Sequence, residues 1–316
     1  MQNDTTHLSA HGKLLLTGEY FVLDGALALA LPVRYGQSLR VEASGTPARL
    51  VWKSRDSDGG IWFSAEYELP SLRPLHSTDD ATANTLAALL LACRRQRPDF
   101  LHQKHGLRVL TQTDFPRAWG LGTSSTLIAA LGRWSGADPY TVLFETLGGS
   151  GYDIACAFAE SPILYQLLEG SRPKVQPTAF APAFVEHLYF VYLGKKQDSR
   201  EGIRRYRERA SANAVLTSDI GALARACLTA ATLPNFESVL AEHERLIAQA
   251  LDLPRAKHLY FNDFWGEIKS LGAWGGDFVL ATSERGEGET RGYFQEKGFG
   301  TLLTWKAMIG QESGCC

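Results

Sequence analysis

The chain reads as an α+β protein in two domains, 1–180 and 181–316. Three observations predict this: a β-rich opening, later runs in which apolar residues recur at helical spacing, and a passage carrying Pro173, Pro177 and Pro182 with little hydrophobic alternation. With 316 residues, 45% hydrophobic and 21% charged, the chain can bury two substantial cores.

Taken in order, residues 13–16 and 26–33 are apolar strands around the turn at Asp24-Gly25, and residues 37–42 and 49–53 alternate as half-buried strands do. Residues 82–96 form a helix, because Leu86, Leu89, Leu90 and Cys93 fall on one face; Pro98 interrupts it, and residues 106–111 make another strand. A glycine turn then enters a helix over 127–134. A short helix from Pro139 to Leu147 leads into a Gly-Gly-Ser-Gly turn, and 163–167 is a strand. The second half predicts a strand at 187–193, helices from Ser199, over 218–231 and over 236–251, and strands at 278–281 and 301–305.

Bulk properties exclude several classes. The formal charge of −2 and short basic runs give no reason to expect nucleic acid. No stretch approaches the roughly 18 consecutive apolar residues of a membrane span, and the polar start lacks a signal pattern, so a cytoplasmic protein is expected. The five cysteines, including Cys315 and Cys316, lack Cys-x-x-Cys spacing, which speaks against a disulfide framework or structural zinc.

The most informative segment is Phe115-Pro-Arg-Ala-Trp-Gly-Leu-Gly-Thr-Ser-Ser-Thr126. Gly120 and Gly122 permit close backbone approach, and Thr123, Ser124 and Ser125 stand where a helix leaves its first amides unsatisfied. That is how a chain builds an anion site, although a plain helix cap after a glycine turn has the same local pattern. The usual Gly-x-x-x-x-Gly-Lys-Ser/Thr loop is absent. Three more motifs stand in order: His11 to Gly25, containing Lys13, Glu19 and Tyr20; Gly148-Gly-Ser-Gly-Tyr-Asp-Ile-Ala155; and Ser270-Leu-Gly-Ala-Trp-Gly-Gly-Asp-Phe278.

With Pro116-x-x-x-Gly-Leu-Gly-Thr-Ser, this set resembles the GHMP kinase superfamily over roughly 12–280, and within it a bacterial branch called the GYDIA group. The resemblance implies a two-domain α+β fold, a ribosomal-protein-S5-like N-terminal domain for ATP and a ferredoxin-like C-terminal domain. It implies ATP and Mg²⁺ as cofactors, with Pro116, Trp119, Gly120, Leu121, Gly122, Thr123, Ser124 and Ser125 around the nucleotide. Asp153 aligns with the family's catalytic aspartate and Lys13 with the lysine that stabilises transferred charge. A carboxylate of ordinary pKa near 3.9 would orient the acceptor hydroxyl and take its proton late.

Ser124 aligns with the serine that reaches Mg²⁺. Asp153 follows it by only 29 positions, fewer than mevalonate kinases carry, so the helix bearing their metal glutamate is shortened and Glu145 is the nearby carboxylate left as a candidate ligand. For substrate, the resemblance points to Glu19, Tyr20, Ser150, Gly151, Tyr152, Ser199, Gly275, Gly276 and Asp277. Arg200 and Arg204, one turn apart on a helix capped by Asp198, offer an anion dock or a solvated salt-bridged face.

Gly-Glu-Tyr is the phosphomevalonate kinase form where mevalonate kinases have Gly-Glu-His. The expected function is therefore an ATP-dependent kinase of a small hydroxy acid, mevalonate or phosphomevalonate, in isoprenoid precursor synthesis. A kinase of another substrate such as a sugar, a diphosphomevalonate decarboxylase relative and a non-catalytic metabolite-binding paralogue stay open. No nucleic acid or membrane partner is expected, and a homodimer is left open.

Overall fold

The computed structural model describes residues 5–103, 105–168, 172–195, 199–209, 213–272, 274 and 276–310, without the side chains of Ser199 and Arg200. The chain divides into two compact units, each assembled from separated segments: Met1–Gly12, Tyr35–Arg117 and Leu121–Phe158 in the first; Lys13–Arg34, Ala118–Gly120 and Ala159–Cys316 in the second. Residues 159–180, placed before the proline-based boundary, thus belong with the second unit. No helix among the described residues is long and apolar enough to cross a membrane.

Two long strands open the chain, β1 (Thr6–Thr17) and β2 (Ala28–Ser44), which pair with each other. In the first unit the C-terminal part of β2 joins a sheet with β3 (Arg49–Arg55), β4 (Ile61–Glu68), β5 (Pro74–Ser77) and, after the helix α1 (Asp80–Gln96), β6 (Gly106–Thr113). The order is β5-β4-β3-β6-β2, antiparallel except for β3 with β6.

Alternation decides which face is covered. Leu50 and Trp52 of β3, Phe63 and Tyr67 of β4 and Leu107 and Val109 of β6 bury with Leu86, Leu89, Leu90 and Cys93 of α1. The same core takes Ile128 and Leu131 from α2 (Thr123–Ser135), Leu143 from α3 (Pro139–Thr146) and Ile154 from α4 (Tyr152–Phe158). Caps fix the ends: the Asp79 carboxylate accepts from Thr82 N, that of Asp138 accepts from Thr141 N, and Pro139 opens α3.

In the second unit Ala28–Ala30 of β2 pairs antiparallel with β7 (Ile163–Gln166), which pairs with β8 (Lys174–Pro177). A separate antiparallel sheet has the order β10-β11-β9-β12, with β9 at Leu188–Tyr192, β10 at Ile268–Leu271, β11 at Phe278–Thr282 and β12 at Leu302–Thr304. Its helices are α5 (Ser199–Arg209), α6 (Ala214–Thr229), α7 (Leu233–Leu251), α8 (Ala256–Tyr260), α9 (Gly286–Glu296) and α10 (Trp305–Met308). One core joins Tyr189, Val191, Phe261, Phe264, Ile268, Val279 and Phe294. Another joins Tyr20, Phe21, Tyr206, Ile220, Ile247 and Trp274. The antiparallel sheet with helices meets the α+β expectation.

Candidate active site

The glycine turn ends on Gly122, a left-handed N-cap with φ +96° that gives α2 no side-chain cap. The amides of the first turn are therefore left to a ligand or solvent, at the positive end of a 13-residue helix. The hydroxyls sort themselves. Ser125 is buried and donates to the Gly122 carbonyl at 2.8 Å, and Thr126 donates to Gln37 Oε1 at 2.7 Å. Ser124 is exposed and Thr123 half-buried. Leu121 is buried and Pro116 exposed.

Asp153 lies in the first turn of α4, after a turn in which Gly148, Gly149 and Gly151 all have positive φ. Its Oδ1 accepts from Ile154 N at 3.0 Å, and the side chain stays half-exposed. Ser150 and Gly151 are buried and Tyr152 is half-buried. Burial, then the charges of Cys156 and Asp153, push the Tyr140 hydroxyl above its ordinary range, which places Asp153 in the electrostatic field around α3. Glu145 sits at the end of α3 with its carboxylate on the Arg95 guanidinium at 2.5 Å, on an exposed surface.

Within the second unit three expected residues meet at Gly120. Lys13 Nζ donates to the Gly120 carbonyl at 3.0 Å. The Asp277 carboxyl lies against the Cα of Gly120, so near that a Cβ there would come within 2.5–2.6 Å of its atoms. Gly120 itself has φ +69°. Asp277 is also left-handed, φ +54°, held because its N–H donates to the Lys195 carbonyl at 2.7 Å and its carbonyl accepts from Leu193 N at 2.8 Å.

Tyr192 joins this group through a bond from its hydroxyl to the Ala118 carbonyl at 2.9 Å; burial and then the Asp277 charge raise its pKa. Trp119 packs edge-on against Phe278 at 5.6 Å between centroids. Gly276 is described beside Asp277, whereas Gly275 lies outside the described residues.

Other expected substrate residues are engaged differently. Glu19 is buried, with Oε1 accepting from Lys269 Nζ at 2.5 Å. Tyr20 has φ +63°, stacks on Tyr206 at 5.9 Å and accepts at its hydroxyl from Trp274 N at 3.1 Å. Arg204 pairs with Glu201 at 2.6 Å and Glu208 at 2.8 Å on exposed α5, the salt-bridged face rather than a bare anion dock. The side chains of Ser199 and Arg200, together with Asp198, Cys315 and Cys316, lie outside the described residues.

Sequence reasoning missed Lys269, His243, Glu244 and Tyr192. Lys269 stands in the segment Ile-Lys-Ser-Leu, in which nothing local marks the lysine as buried.

Among the described residues no group of three or more His, Cys, Asp and Glu side chains is placed to hold a metal. A divalent ion at α2 would therefore take Ser124, nucleotide phosphates and water, a set that suits Mg²⁺. The open amides at Gly122–Ser125 likewise suit a phosphate.

No protein-family model matches the chain, and no curated protein sequence matches it significantly. Solved structures do. The mevalonate kinase of Methanococcus jannaschii superposes with TM-score 0.71 at 13% identity, over 96% of this chain and 98% of that one. The Streptococcus pneumoniae phosphomevalonate kinase, in complex with phosphomevalonate and AMPPNP, gives 0.68 at 15% identity over 95% and 99%. The Lactococcus lactis galactokinase complexed with galactose gives 0.67 at 13% identity over 98% and 95%. Over nearly its whole length the chain has the GHMP kinase fold.

Proposed function

We propose that this chain is a cytoplasmic, ATP- and Mg²⁺-dependent kinase that transfers the γ-phosphoryl group to a hydroxyl or phosphate of a small acid, mevalonate or phosphomevalonate in isoprenoid precursor synthesis. One observation carries the reading: Lys13 is anchored on the carbonyl of Gly120, in the turn that runs into the uncapped N-terminus of α2. A cation is thereby tied to the strand of chain that would cradle the phosphates.

Phosphoryl transfer needs positioning and charge stabilisation more than covalent chemistry from the protein. The α2 amides and the Ser124 hydroxyl would hold the nucleotide phosphates; bound Mg²⁺ would neutralise charge on them. Asp153 would orient the acceptor hydroxyl and accept its proton late, and Lys13 would stabilise charge on the transferred group.

Asp277 favours a second reading. A buried carboxylate beside the glycine turn accepts hydrogen bonds from hydroxyls and repels an anionic acceptor, which suits a sugar. ADP release measured with Mg²⁺-ATP and, separately, mevalonate, phosphomevalonate, diphosphomevalonate and several sugars, with product mass checked, discriminates the two. Asp153→Asn should keep ATP binding and lower turnover by orders of magnitude. Absence of ATP binding by the wild type would overturn the kinase reading.

A further inference from the structure

Four ionisable side chains, none more than 1% exposed, meet below the turn that follows β1: Glu19, Lys269 of β10, and His243 and Glu244 of α7. Lys269 Nζ donates to Glu19 Oε1 at 2.5 Å and to the Ser270 carbonyl at 2.8 Å, and stands 3.6 Å from Glu244 Oε1. Glu244 Oε1 accepts from Ser270 N at 3.1 Å and its Oε2 from the Ser270 hydroxyl at 3.4 Å. Two carboxylates thus face one ammonium away from the protein surface, and a net charge left there is costly.

The imidazole shows where the balance is made. His243 Nε2 accepts from Gly18 N at 3.0 Å, so it carries a lone pair and the ring proton sits on Nδ1. Burial, reinforced by Lys269, holds this imidazole neutral. Glu19 Oε2 lies 3.3 Å from that same Nε2 and, like His243 Nδ1, has no hydrogen-bond partner among the described residues. As a carboxylate oxygen it would set acceptor against acceptor. With a proton the repulsion is removed, and the hydroxyl shares the one Nε2 lone pair with the Gly18 N–H in a three-centre contact.

We infer that Glu19 and Glu244 share a single proton around Lys269, carried on Glu19 Oε2 toward His243, and that this neutral cluster makes Glu19 a positioning residue that clamps the turn after β1 to β10. The clamp bears on function because β1 carries Lys13 and the turn after β10 carries Asp277.

The surrounding groups leave that assignment intact. From α6, Cys227 faces Lys269 and Glu19 with a thiol that burial pushes up to about 12. Arg255 acts on Glu244 from a distance but is itself held by Glu267 at 2.5 Å, which Lys257 also approaches. Tyr20 is kept protonated chiefly by burial. Burial raises both carboxyls, that of Glu244 to about 7 from the ordinary 4.5, and the steps belong to the pair.

Because burial raises the folded pKa of both carboxyls, the stabilisation is complete below the unfolded value near 4.5 and is lost as pH rises through the raised folded value of the pair. Urea unfolding from pH 5 to 8 tests this. Glu19→Gln supplies an N–H that cannot ionise, so the unfolding constant of the wild type should rise with pH relative to the variant across that range. Parallel profiles would overturn the inference.

Glu244→Gln repeats the measurement if the first variant does not fold. If neither folds, the wild type alone decides: it should show at neutral pH the infrared carbonyl stretch of a protonated carboxylic acid, and its absence would sink the shared proton. The catalytic consequence, a kcat/KM that falls through the same pH step in the wild type and not in Glu19→Gln, rests on the kinase reading. The unfolding and infrared readouts do not, so the two failures are distinguishable.

Discussion

Gly120→Ala tests the construction of the candidate site at one atom. Residue 120 has φ +69°, where a side chain costs about 1–2 kcal/mol. Its new Cβ would also lie 2.5–2.6 Å from the Asp277 carboxyl atoms, inside any permitted contact. That carboxyl ends a short side chain only 7% exposed, on a backbone fixed to Lys195 and Leu193, so it has little room to retreat. Relief of such overpacking costs about 1–3 kcal/mol. The expected loss of stability is therefore about 2–5 kcal/mol.

Urea unfolding of the wild type, Gly120→Ala, Asp277→Gly and the double variant separates the two contributions, because removing the carboxyl abolishes the overlap but leaves the cost of φ. The double-mutant cycle should return a coupling of about 1–3 kcal/mol. A coupling within error of zero, or a Gly120→Ala loss below about 0.5 kcal/mol, would refute the placement of Asp277 over the glycine turn.

Lys269→Met should cost about 3–5 kcal/mol by leaving two buried carboxyls with no cation, read from the urea midpoint; a loss under 1 kcal/mol would contradict the buried pairing. Glu145→Gln should change stability by less than about 1 kcal/mol, as an exposed ion pair does, and leave the Mg²⁺ concentration for half-maximal turnover unaltered. A large rise in that concentration would support Glu145 as a metal ligand. Asp277→Asn should lower KM for a phosphorylated acceptor more than for a neutral sugar, whereas equal changes would leave Asp277 a packing role.

Local physics made much of the fold legible. The spacing of Leu86, Leu89, Leu90 and Cys93 located α1 to within two residues at its start, and the glycine turn located α2, because both signals are complete within a few residues. By contrast α9 carries Gly286, Gly288 and Gly292, a poor helix by propensity. It forms because Thr290 and Phe294 are buried and because the pairs Arg285–Glu289 and Glu287–Arg291 span successive turns. β4 escaped notice, its alternation hidden by the adjacent Ile61 and Trp62, both exposed. β2 was read as two strands because Pro32 and Gly36 interrupt a run that pairs with β7 at one end and β6 at the other.

The site divides along the same line. Lys13, Gly120, Ser124 and Asp153 could be proposed from motifs, since each stands in a short segment whose chemistry is local. The partners that fix Glu19 could not: Lys269 is 250 residues away, and no pattern in either segment announces the other. The same limit governs substrate. Mevalonate, phosphomevalonate and galactose kinases share this fold with the chain at 13–15% identity, so the fold leaves the acceptor to individual side chains. At Gly120 those side chains are a lysine and an aspartate on one residue. Opposite charges placed so close reduce the net field there, so the turn cannot select an anion by charge alone. On the kinase reading proposed above, selection would then come from what hydrogen-bonds to Asp277, and the acceptor is to be sought by the hydroxyls it offers as much as by its acidity.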